Sequence, residues 1–70
     1  YDRIHEGMNH ADVARAVGVQ PRNPDEKVSQ YWDSGSQHMK IGFVEWSEGG
    51  WLVSYVDWWT ADGKELFKSF

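Results

Sequence analysis

The amino-acid sequence predicts an α+β domain, two short N-terminal helices packed on a three-stranded antiparallel β-meander, and three observations carry that prediction. Before Gly35, apolar residues recur at helical spacing behind capping residues. After it they run through extended segments rich in Trp, Val, Tyr and Phe. Two turn signals, "EGG" at 48–50 and "ADGK" at 61–64, divide those segments. With 70 residues there is room for one small domain over 1–70, its helical part at 9–34 and its meander at 38–70.

The first helix is predicted over "HADVARAV". Asn9 stands where an N-cap belongs, Asp12 is acidic in the first turn, Val13, Ala16 and Val17 share a face, and Gly18 ends the helix in the left-handed region. A second helix is predicted from "NPDEKVSQYW", with Asn23 as N-cap, Pro24 at the first helical position, and Val28, Tyr31 and Trp32 as its apolar stripe. "DSGS" over 33–36 ends it. Strands are predicted at Met39–Ser47, Trp51–Thr60 and Glu65–Phe70, the last two joined by the Asp62-Gly63 hairpin signal.

Composition narrows the function classes. A core this small supplies only about 3–5 kcal/mol of net stability. Cysteine is absent, so disulfides add nothing, and Leu occurs only at Leu52 and Leu66. Aromatic side chains, 16% of the chain, take over as core filler. Eleven acids against seven Lys and Arg give a net charge of −4, which opposes non-specific nucleic-acid binding and disfavours it without forbidding it. No apolar run is long enough for a membrane span, no membrane association is expected, and a cytoplasmic location is the default. The chain begins at Tyr1, as expected of a processed, trimmed or excised piece.

Chemistry-bearing motifs are few. His5 and His10 in "HEGMNH" are five apart and interrupted by Gly7, whereas a helical zinc pair needs a spacing of four, so no metal is expected. No cofactor motif is present. Glu45, Glu48 and Asp57 are carboxylates placed to approach across the first hairpin, but solvated strand ends are their ordinary reading. No nucleophile, base and orienting group assemble from spacing, so a non-enzyme is expected, with no catalytic residue.

"ADVARAVGV", Ala11 to Val19, resembles the first helix and turn of the helix-turn-helix motif, with Ala14 and Gly18 in the small-residue roles and Val13, Val17 and Val19 at the apolar positions. The resemblance implies a DNA-binding protein using Arg15, Arg22, Asn23, Lys27 and Gln30. After Val19 the chain departs from the motif. Pro21 and Pro24 lengthen the turn, and Asp25 and Glu26 place negative charge where DNA would lie. DNA binding is therefore the alternative reading.

The preferred reading comes from strand alternation. Trp51, Val53, Tyr55, Asp57 and Trp59 share one face of the middle strand, and Leu52, Ser54, Val56, Trp58 and Thr60 share the other. Both faces are apolar, and two short helices cover only one. Val44, Trp46, Leu52, Val56 and Trp58 are assigned to the helix-covered side, leaving Phe43, Trp51, Tyr55 and Trp59 as an exposed aromatic patch. Such a patch suits a protein partner or a second copy of the chain, with Trp and Tyr as anchors. It fits a regulatory module or a small acidic inhibitor, of the kind phage-type inhibitors exemplify in size and charge.

Overall fold

Asn9 starts the helix by satisfying an orphan backbone donor: its Oδ1 accepts from Asp12 N–H at 2.8 Å, and the Asp12 carboxylate accepts from Asn9 N–H at 3.4 Å. The helix α1 then runs His10–Val17. Gly18 ends it at φ 96°, donating its N–H to the Ala14 carbonyl at 2.8 Å. The structure is a computed structural model that describes residues 3–46 and 49–70.

The predicted second helix does not form. Four strands follow α1, β1 Ser29–Ser34, β2 Gln37–Glu45, β3 Trp51–Trp59 and β4 Glu65–Ser69, in one antiparallel sheet of order β1-β2-β3-β4. The fold is therefore one short helix on a four-stranded sheet, not two helices on a three-stranded meander. Val28, Tyr31 and Trp32 suggested helical spacing, yet burial along β1 has period two, with Gln30 and Trp32 buried and Ser29 and Tyr31 half-buried, and Val28, just ahead of the strand, is exposed. Asn23, expected as a helix cap, uses the same side-chain chemistry on a strand. Its Nδ2 donates to the Ser29 carbonyl at 2.9 Å and its Oδ1 accepts from Tyr31 N–H at 2.8 Å. Of the first hairpin, Ser47 and Glu48 lie outside the described residues.

The second hairpin turns through Thr60–Lys64. Thr60 N–H donates to the Lys64 carbonyl, Gly63 N–H donates to the Thr60 carbonyl, and Gly63 takes φ 87°, the left-handed position of a three-residue hairpin loop.

A β-bulge interrupts the alternation on which the sequence reading of β3 rests. Gly42 pairs with Tyr55 but Phe43 pairs with Val53, so Ser54 is an extra residue. Val53 and Val56, three apart, consequently both point into the core. Residues directly opposite in an antiparallel ladder share a face. One face thus carries Gln30, Trp32, Met39, Ile41, Phe43, Val53, Val56 and Trp58, and it is covered by α1 and the segment before it, which contribute Val13, Ile4 and Met8 to the core. The other face carries Tyr31, Asp33, His38, Lys40, Gly42, Tyr55, Asp57, Trp59, Glu65 and Phe67. No helix among the described residues lies on it. None is long and apolar enough to cross a membrane.

Candidate functional site on the open sheet face

Strand register builds this surface in rows. Asp33, His38, Trp59 and Glu65 stand side by side across the four strands, and Tyr31, Lys40, Asp57 and Phe67 form the next row. Gly42 has no side chain, so the Tyr55 ring lies over its Cα, where it stacks on Phe67 at 5.7 Å between centroids. Lys40 reaches both neighbouring rings, with Nζ 5.8 Å from the Tyr31 centroid and 5.9 Å from that of Tyr55. The hydrogen bond to Tyr55 is the main cause that raises the Lys40 pKa above its ordinary value and holds it charged.

Around Trp59 the charge is negative. Glu65 hydrogen-bonds to Asp57, and two carboxylates so close raise the pKa of Glu65 above its usual range. At the other end of the row, Asp33 meets His38 Nδ1 at 2.5 Å and Arg22 Nη1 at 2.9 Å. His38 is the largest cause of the lowered Asp33 pKa. A group with a depressed pKa stabilises the fold above its unfolded value, here 3.8, and that contribution disappears as pH falls through the lowered folded value. Asp33→Asn is expected to flatten the acid side of a plot of melting temperature against pH, with little change at neutral pH beyond a constant offset. An acid side as steep as the parent's would show that other carboxylates set it.

The residues expected to form the patch divide between the faces. Tyr55 and Trp59 lie on the open face, half-buried. Phe43 is buried in the core, 4.1 Å from the His10 ring, and Trp51 packs against the same cluster. Of the set assigned to the helix-covered side, Val56 is in the core and Trp58 borders it, whereas Val44 and Trp46 are exposed and Leu52, paired with Val44, faces away from the helix. The bulge at Ser54 separates Trp51 from Tyr55 and Trp59, and Leu52 from Val56 and Trp58, because it reverses the phase of β3 partway along; Phe43 and Val44 follow the unbroken alternation of β2.

The residues that the helix-turn-helix resemblance would set toward DNA lie on α1 and around β1, engaged with other parts of the chain. Arg15 on α1 pairs with Asp12 at 3.6 Å, Arg22 is held by Asp33, Asn23 is bound to β1, and the Lys27 carbonyl accepts from His10 Nε2 at 2.9 Å. Gln30 is buried, its amide donating to the Glu26 carbonyl at 2.8 Å. A strand stands where a recognition helix would follow α1. Glu45 pairs with Trp51 at the far end of the sheet from Asp57, and Glu48 lies outside the described residues. Among the described residues no group of three or more His, Cys, Asp or Glu is placed to hold a metal ion.

Tyr31, Asp33, Lys40, Glu65 and Phe67 belong to the surface without having been singled out. Their signal was available only as a strand pattern in 29–34 and as cross-strand register, which one chain does not print. A separate cavity of about 330 Å³ opens on the covered side between Val17, Val19, Trp32, Met39 and Trp58. Asp33 and His38 also line it, already engaged with each other. No protein-family profile, curated protein or solved structure matches the chain.

Proposed function

We propose that the chain is a non-catalytic interaction module whose open sheet face holds a basic segment of a partner protein, centred on Trp59. The observation that supports this reading most is the Asp57–Glu65 carboxylate pair beside that half-buried indole. The hydrogen bond between them needs a proton on one carboxyl, and a guanidinium or ammonium resting on the Trp59 face takes the place of that proton and lets both ionise. The net charge of −4 steers a basic partner to the molecule from a distance. Tyr55, Phe67 and Tyr31 extend the contact with rigid aromatic area.

An arginine-rich octapeptide titrated against the isotope-labelled protein is the direct test. Shifts are expected at Trp59, Asp57 and Glu65, weakened by added salt. Trp59→Ala should lower affinity about tenfold while leaving the fold intact. Equal affinity in that variant, or shifts confined to α1, would sink the reading.

A further inference from the structure

The two edges of the sheet differ. An exposed strand edge is a row of unpaired N–H and C=O groups able to pair with another strand. On β1 that row is occupied at Ser29 and Tyr31: Arg22 N–H donates to the Tyr31 carbonyl at 2.6 Å, and the Asn23 side chain takes Tyr31 N–H and the Ser29 carbonyl. On β4 all five residues are exposed, and among the described residues no hydrogen bond reaches its outer side.

Which β4 groups face outward follows from the hairpin. Thr60 N–H donates to the Lys64 carbonyl and Phe70 N–H donates to the Ser54 carbonyl, so the even-numbered residues of this segment turn their backbone groups toward β3. Glu65, Phe67 and Ser69 then turn theirs outward. From this geometry we infer that β4 pairs antiparallel with β4 of a second copy, about a two-fold axis through Phe67, giving a dimer with one continuous eight-stranded sheet.

Register and charge select that occupant. A two-fold axis perpendicular to the sheet keeps the same faces together, so only pairings between residues of like facing are open to it. Centring on Phe67 sets Phe67 against Phe67, Glu65 against Ser69 and Leu66 against Lys68, and it uses all three outward-facing residues of each copy. Centring on Leu66 would put Lys64 opposite Lys68, and centring on Lys68 would put that cation opposite itself; like charges directly opposed destabilise a strand pair. The Phe67 register avoids both; centring on Glu65 would oppose that acid to its own copy, and centring on Ser69 would leave Glu65 without a partner. The Phe67 register also joins the Tyr55–Phe67 stack of each copy into one row of four rings. Because β1 is closed by Arg22 and Asn23, the sheet grows on one side only, and assembly stops at two.

This inference concerns the β4 edge; Glu65 and Phe67 belong also to the peptide surface at Trp59, but the dimer rests on their backbone groups and the peptide site on their side chains. Sedimentation equilibrium of the whole chain should give about 16 kDa, twice the 8.1 kDa of one copy, with dissociation on dilution. Ser69→Pro removes an outward N–H that β3 does not use, so it should return the mass to that of one copy with the circular dichroism unchanged. Amide exchange gives a reading that does not depend on the variant's folding: Glu65, Phe67 and Ser69 N–H of the parent should exchange more slowly as concentration rises. A parent that stays monomeric to millimolar concentration overturns the inference, as does a dimer whose three amides exchange freely. Peptide titration of monomeric Ser69→Pro tests the Trp59 site separately.

Discussion

Replacing Trp32 by alanine should unfold the domain. The side chain is 6% exposed, packs with Ile41, Val13 and Val56 in one cluster, and donates its indole N–H to the Val19 carbonyl at 3.0 Å. Truncating a buried Trp costs about 3–5 kcal/mol, and a core of this size holds roughly that much in total. The lost indole also releases the segment after α1, since the Val19 carbonyl forfeits its donor. Val28→Ala is the informative control. Both residues belong to the apolar stripe of the helix that the sequence suggested, but Val28 is 59% exposed beside a strand. Urea melts should therefore show a parent-like Val28→Ala and a Trp32→Ala that is unfolded in water. Comparable losses in both would restore a helical stripe over 28–32.

Gly42→Ala should be the most damaging small substitution on the open face. A methyl group there would overlap the Tyr55 ring, which would have to leave its place over the strand and give up its stack on Phe67 and its contact with Lys40. Overpacking of this kind costs about 1–3 kcal/mol. The cost belongs to the pair of residues. In a Tyr55→Ala background the ring atoms that the added methyl overlaps are gone, and removing glycine from a strand interior is then expected to be neutral or favourable. If Gly42→Ala destabilises equally in both backgrounds, the ring is not what excludes the side chain.

What the sequence revealed, and what it concealed, separates along the range of the interactions involved. Asn9, Asp12 and Gly18 announce α1 because capping is settled within one turn of chain. Asp62-Gly63 announces its hairpin for the same reason. The segment 23–34 misled because an Asn, a Pro and two acids begin a helix in isolation, whereas here β2 supplies a full ladder of partners and Trp32 a place in the core. The site was half legible. Trp59 and Tyr55 stand out by type, but Phe43 and Trp51 do too; the extra residue at Ser54 turns Trp51 to the covered side, and the pairing of β2 with β3 sets Phe43 there. The Asp57–Glu65 pair joins residues of different strands and was legible only after the register was known.

The strand order, which follows the chain order, also has a kinetic side. Each of the three strand pairings closes a short loop, so little chain entropy is lost before the contacts form, and local pairings of this sort nucleate quickly. The N-terminal segment is the exception: Met8 must offer its carbonyl to Val53 N–H, and Ile4 and Val13 must reach a core made by strands far along the sequence. The hairpins can therefore assemble before α1 docks, and until it does the covered face is as bare as the open one. During that interval the molecule is an amphipathically undecided ribbon, and docking of the helix makes its two sides unequal.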